Sequence, residues 1–292
     1  MSDYIQQNCS ILKFDNSNSW VILSKIEQSI KAKIERYGIP LKKWNLKIYR
    51  GILTGFNEAF IISNETRKEI LNNCKNITEY KRTDELIRPI LRGRDIKRDS
   101  YEYADLYLIT TFPSKNYDIE EYPAIKKHLL SFGIKRLEQT GEKYIINGEE
   151  IRARKKTNNK WFETQDSISY WDEFNKPHIV YCEIGPEMNA CLLEPGIYIN
   201  NKLYMITGKF LEYLLIFFNS KLFNKIIIQS ANVTGGKGVD FINKIKCIIP
   251  SEKQLKTAIQ LLKNKATDEM KDEFINTIFE LSDEQKKYLE NS

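Results

Sequence analysis

Two stretches carry most of the side chains able to act on a ligand. KIYRGILTGFNEAFIIS runs from Lys47 to Ser63 and RPILRGRDIKR from Arg88 to Arg98, and both lead short β-type apolar residues into a glycine turn. Around the first turn stand Arg50, Thr54 and Asn57, with Gly51 and Gly55 letting the backbone turn or be approached closely. Around the second stand Arg92, Arg94, Lys97 and Arg98, against the single acid Asp95. A third basic knot comprises Arg152, Arg154, Lys155, Lys156 and Lys160, and Lys237 is the charge of a glycine loop, TGGKG, at Thr234 to Gly238. Guanidinium and ammonium groups neutralise phosphates, arginine matches guanine O6 and N7 bidentately, and asparagine matches adenine. Beside glycine turns and interleaved with tyrosine and tryptophan, these residues predict a nucleic-acid surface. The loop lysines are expected on phosphates, and base reading is expected of some arginines and of Asn57.

Other chemistries fit poorly. There are two histidines, His128 on a helix beside Lys126 and Lys127, expected to be solvated, and His178 at the head of a strand; neither GxSxG nor HExxH occurs. The nearest approach to an Asn-Pro-Pro-aromatic methyltransferase motif is NKPH at Asn175 to His178, which lacks the second proline and the aromatic. TGGKG lacks the spacing of a phosphate-binding Walker loop. Asp84 followed by Asp95-Ile96-Lys97 matches the bare carboxylate pattern of metal-dependent nucleases, but Pro89 and Gly93 break the segment and arginines crowd it. Two readings compete with DNA recognition: a nuclease using Asp84, Asp95 and Lys97, and a module that holds a protein partner.

The elements that position these groups read as α+β. Ile26, Ile30, Ile34 and Tyr37 predict an amphipathic helix over Ser24 to Tyr37, stopped by Gly38 and Pro40. Trp44 to Ser63 reads as two strands about a turn, and Asn64 to Lys75 as a helix joined by a polar connection to the arginine segment. A strand is expected over Tyr101 to Phe112, a helix after Pro123, and a long exposed loop or hairpin over Glu138 to Asn159. HIVYCEI and GIYIN read as strands, Leu211 to Leu222 as a buried helix, Ile242 to Pro250 as the last strand, and Glu252 to Leu289 as a helical tail. Asn224 to Val233 is either extended or helical. The expected fold is a mixed, mostly antiparallel sheet with packed helices. It divides into a linker and helix at 1–43, a recognition domain at 44–250 and the tail at 251–292.

A chain of 292 residues that is 41% hydrophobic fills a real core, and its net charge of only +6 makes the basic excess a local matter. Five well-separated cysteines without a CxxC predict reduced, mostly buried thiols in a cytoplasmic protein, with no metal site. The start has no signal-peptide pattern, and the apolar run at Phe210 to Phe218 is too short to span a bilayer, so no membrane role is expected.

Several segments in series resemble the TaqI-like C-terminal specificity domain of type IIG restriction-modification enzymes and adenine-N6 DNA methyltransferases. They are IYRGILTGFNEAFII, IRPILRGRDIKR, YPAIKKHL, ARKKTNNKWFETQDSISYWDEFNKPHIVY, ITGKFLEYLLIFFNSKL, KCIIP and the tail DEFINTIFELSDEQKKYLE. The likeness keeps its order from about Trp20 to the C-terminus. It implies a domain that grips duplex DNA opposite a methyltransferase domain and selects the sequence to be modified. The methyltransferase half and any nuclease domain are missing, so a split subunit, a truncated product or a fragment is expected, without catalysis of its own. No cofactor is expected on this chain; S-adenosylmethionine is implied for the methyltransferase half, and that half, with or without a nuclease, is the implied partner.

Overall fold

A computed structural model describes residues 23–228 and 236–291. DNSNS at Asp15 to Ser19, which reads in the sequence as a polar loop, Cys9, and Thr234 and Gly235 of the glycine loop lie outside the described residues. The chain divides into two compact units, each assembled from separated stretches: 49–180 with 193–205, and 1–48 with 181–192 and 206–292. Each crossing between units falls inside or at the end of a strand: Lys47–Arg50, His178–Cys182, Ala190–Leu193 and Leu203–Thr207.

The unit built on 49–180 centres on a four-stranded mixed sheet, in the order Tyr198–Ile199, Ile87–Leu91, Leu106–Ile109, Ile61–Ser63. Its first pair is parallel and the other two are antiparallel, with Ile87 opposite Ile109 and Ile61 opposite Leu108. Pro89, which has no N–H to donate, sits where the strand Ile87–Leu91 changes partner: residues up to 89 face Leu106–Ile109 and Ile90 faces Tyr198. Phe60, Ile62, Ile87, Ile90, Leu108, Ile109 and Phe112 are buried there. Phe174 stacks on Tyr198 with ring centroids 4.4 Å apart.

Local signals decide the rest of this unit. The first motif gives one strand, Lys47–Arg50, and then a single helical turn, Asn57–Phe60, before the strand Ile61–Ser63. The polar connection expected before the arginines is a helix, Ile77–Leu86, capped by Asn76, whose side chain accepts from the N–H of Glu79. Glu138 to Asn159 contains the expected hairpin, Lys143–Ile146 against Glu149–Arg152. Its two-residue turn is Asn147-Gly148 with φ of 52° and 85°, the asparagine-glycine pair that matches strand twist.

The other unit is mainly helical. The helix Lys25–Tyr37 carries a capping box, Ser24 with Glu27, and buries Ile30 and Ile34. Leu211–Asn219 is buried on nearly every face, and Phe217 stacks on Phe279 at 5.7 Å. The tail is three helices: Glu252–Lys263, Asp268–Ile278 and Asp283–Asn291. The strand expected over Ile242 to Pro250 shrinks to Lys246–Cys247, paired with Ile39–Pro40 and preceded by the helix Val239–Lys244. Of the stretch left open between extended and helical, Phe223–Ile227 is a π-helical turn. Among the described residues, no helix is long and apolar enough to cross a membrane, and Cys74 and Cys247 are free thiols.

Candidate functional site

Beyond the hairpin, Arg152 to Thr157 returns alongside Glu138 to Glu142. The N–H of Ala153 donates to the Glu142 carbonyl (2.9 Å), that of Gly141 to Arg154 (2.8 Å), that of Arg154 to Glu138 (2.9 Å) and that of Thr157 to Gln139 (3.0 Å). This pairing turns Ala153 and Arg154 inward and leaves Arg152, Lys155, Lys156 and Lys160 exposed. Arg154 is only 4% exposed. Its guanidinium donates to four carbonyls: Leu137 from Nε (2.8 Å), Thr54 and Glu163 from Nη1 (2.9 and 2.7 Å), and Trp161 from Nη2 (2.6 Å). Burial pushes its pKa down to about 10, with the Glu163 carboxylate acting in the opposite sense. The DNA contact expected of Arg154 is therefore corrected to a staple, because its donors already face protein carbonyls. Gln139, also buried, reinforces the loop by donating to the carbonyls of Lys160 and Glu163 and accepting from Thr157.

Against this loop lies the first motif. Gly51 is met so closely that a Cβ there would come within 2.1 Å of the Asn200 carbonyl oxygen. Gly55 turns with φ +78°. The Thr54 hydroxyl is buried, donating to Asn57 Oδ1 at 2.7 Å and accepting from the N–H of Phe56 at 3.2 Å, so it shapes the turn. Asn57 opens the short helix at the surface. Arg50 is exposed; its Nε donates to the Asn201 carbonyl (3.0 Å), and Tyr170, stacked on Tyr49, donates to the Arg50 carbonyl (2.6 Å).

Gly55 and the basic loop line an open cavity of about 520 Å³ whose wall includes Arg136, Arg152, Arg154, Lys155, Lys156 and Gln165. No carboxylate lines it. Sequence reading missed Arg136, which sits on the short helix Ile134–Leu137 with its guanidinium 4.3 Å from the Phe56 ring centroid. Its only signal was a Lys-Arg pair between Gly133 and Glu138. Lys160 stands apart, its Nζ 3.4 Å from Asn116 Oδ1.

The arginine segment forms a 3₁₀ turn, Gly93–Asp95, followed by a two-residue hairpin in which Ile96 faces Tyr101. Arg92 is spent on Asp95, whereas Arg94 and Lys97 are exposed, Lys97 within 3.8 Å of Glu102; Arg98 is half-buried. Of the nuclease pattern, Asp84 is taken by Arg67 at 2.5 Å and Asp95 by Arg92 at 2.8 Å, so both carboxylates are already neutralised. Among the described residues, no cluster of three His, Cys, Asp or Glu side chains is able to hold a metal.

Two further expectations meet corrections. Lys237 is buried: its N–H donates to the Glu183 carbonyl (2.8 Å), its Nζ to Gly185 (2.7 Å), and burial lowers its pKa. It is therefore not the exposed charge of a loop. His128 is half-buried rather than solvated, with Nε2 3.0 Å from the Ala59 carbonyl and its pKa lowered by burial. His178 is fully buried, its Nδ1 2.7 Å from the Lys176 carbonyl.

No curated protein matches the chain. Among solved structures, the type IIL restriction-modification enzyme MmeI in complex with DNA is similar with a TM-score of 0.47 and 11% identity, over 86% of this chain and 35% of that one. The type IIG restriction endonuclease BpuSI is similar with a TM-score of 0.42 and 11% identity, over 82% of this chain and 28% of that one. The chain thus spans about a third of the length of these structures. The TaqI-like C-terminal specificity domain matches residues 88–246, from the strand that carries Pro89 to the strand that pairs with Ile39–Pro40. That match takes in the arginine turn, the hairpin and the basic loop, and with more than half of its length covered, the chain belongs to the TaqI-like C-terminal specificity domain family.

Proposed function

We propose that this chain is a sequence-specific duplex DNA recognition module of a restriction-modification system, directing adenine-N6 methylation by a separate catalytic part. The observation that carries the reading is a basic cavity, lined by no carboxylate, whose arginines and lysines all fall within the residues matched by the specificity-domain family. A cavity rich in arginine and lysine, with low-dielectric walls, concentrates field on a polyanion. Lys155, Lys156, Arg152 and Lys160 supply phosphate contacts, and Arg50, Asn57, Arg94, Lys97 and Arg98 stand at or near the surface for further contacts, including base edges. Thr54, Arg92 and Arg154 hold those groups in place from within.

On this reading the chain performs no chemistry and holds no cofactor. S-adenosylmethionine belongs to a methyltransferase subunit or domain, to which a nuclease is joined where cleavage also occurs, and the assembly works in the cytoplasm. Combining the chain with a methyltransferase half encoded beside it and mapping the modified adenines tests this directly. Methylation confined to one sequence set only in the presence of the chain is the expected result. The same set methylated by the catalytic half alone counts against the reading.

A further inference from the structure

We propose that the cavity between Gly55 and the basic loop seats a single backbone phosphate of DNA, shared by Arg136, Arg152, Lys155 and Lys156. The inference rests on the DNA-binding reading above and adds to it a geometry and a residue, Arg136, that the basic sequence clusters do not contain. Three observations point to one shared anion rather than a scattered solvated charge.

The first is convergence. Arg136 comes from the short helix after Gly133, Arg152 ends the hairpin's second strand, and Lys155 and Lys156 follow it in irregular backbone, yet all four line one concavity without any acid among them. Like charges brought together repel, a cost that a bound anion offsets. The second is that the floor is fixed. Arg154 beneath is clamped to four carbonyls, and the Arg136 guanidinium rests on the Phe56 ring, so both are ordered before any ligand arrives. The third is that small residues line the walls. Gly55 and Gly141 carry no side chain into the space, and a Cβ at Gly55 would come within 2.4 Å of Gln165 Oε1. Neither Lys155 nor Lys156 forms an ion pair among the described residues, which leaves their ammonium groups available to a phosphate.

The test uses the full chain and duplex DNA over a range of salt concentrations. Each neutralised phosphate contributes about one unit to the slope of log affinity against log salt. If Arg136 and Lys156 share one phosphate, Arg136→Gln and Lys156→Gln each weaken binding to every duplex. The double change then flattens the slope by about one unit, not two. Lys143→Gln, an exposed lysine of the hairpin paired with Glu150 and outside the cavity, leaves the slope unchanged. A loss of about two units in the double variant, or none, overturns the shared-phosphate site while leaving DNA recognition standing. A wild-type chain that does not bind duplex DNA overturns both. Should Arg136→Gln lower the melting temperature, Lys155→Gln with Lys156→Gln repeats the comparison without touching the Phe56 contact.

Discussion

Arg92 holds Asp95 by three hydrogen bonds: its backbone N–H and Nε reach Oδ2 at 2.8 and 3.0 Å, and Nη2 reaches Oδ1 at 2.8 Å. Burial pushes the Asp95 carboxyl up, but these bonds outweigh it and hold the group below the usual carboxylate range. A depressed carboxylate pKa contributes stability that is present above the unfolded value, about 4, and is lost as pH falls through the folded one. Asp95→Asn is therefore expected to cost about 2–3 kcal/mol at pH 7 and to make stability less sensitive to acid below about pH 4. Urea unfolding at both pH values measures it, and an unchanged acid limb contradicts it.

The same pairing separates the arginines. Arg92 is committed to Asp95, whereas Arg94 next to it is exposed. Arg94→Ala is expected to cost roughly 1–3 kcal/mol on the preferred sequence and little on random DNA, as a lost guanine contact does. Equal losses on all sequences make the segment a phosphate clamp.

Two glycines of the motifs behave oppositely under the same change. Gly51→Ala forces a Cβ against the Asn200 backbone, which cannot move as a side chain tip does, and is expected to destabilise by about 3 kcal/mol. At Gly93 a Cβ meets only Lys202 Cβ at 3.5 Å, and the alanine variant is expected to be neutral or slightly more stable. Thermal melts of the two proteins check both directions.

Asp166 supplies a pH dependence. Burial raises its carboxyl pKa, while Arg50, the Leu53 backbone and Lys155 act in the lowering direction. In its ionised form it sets a negative charge near Lys155, and protonating it as pH falls removes that charge from the lysine's surroundings. DNA affinity is expected to rise on acidification from about pH 7, and Asp166→Asn is expected to bind several-fold more tightly at neutral pH and to lose that rise. Fluorescence anisotropy at constant ionic strength measures it; parallel pH profiles for the two proteins argue against it.

Much of this molecule is legible in the order of its residues, for physical reasons that also mark where reading fails. The helix at Lys25–Tyr37 is announced by isoleucines at three- and four-residue spacing and by Ser24 with Glu27, and the hairpin by polar strands about Asn147-Gly148. Ile77–Leu86 escapes because its apolar residues are few and its cap is a lone asparagine in a polar run. Basic clusters are visible as composition, but the direction of each side chain is not. Lys155 and Arg154 are neighbours in the same knot, and only the pairing of residues 153–157 with 138–142 decides that one faces water and the other four carbonyls. Arg136 gains its place through contact with Phe56, a relation with no local trace.

Replacing Arg154 tests that staple. Arg154→Lys keeps the charge but has one nitrogen for carbonyls of Leu137, Thr54, Glu163 and Trp161, and a loss of about 2–4 kcal/mol is expected by urea titration. A variant as stable as the parent shows that the carbonyls find other donors.

The four carbonyls on Arg154 also govern how sequence can be exchanged at this place. They belong to stretches near 54, 137 and 161–163, so a crossover that imports a new loop between 152 and 165 brings the arginine with its Trp161 and Glu163 acceptors but leaves those of Thr54 and Leu137 behind in the host. Chimaeras cut within that span inherit a mismatched hub, whereas those that carry 54 to 165 as one block inherit a matched one. The heritable unit of change here is an inlaid patch gathered from distant codons, and grafting follows the guanidinium rather than the visible ends of the loop.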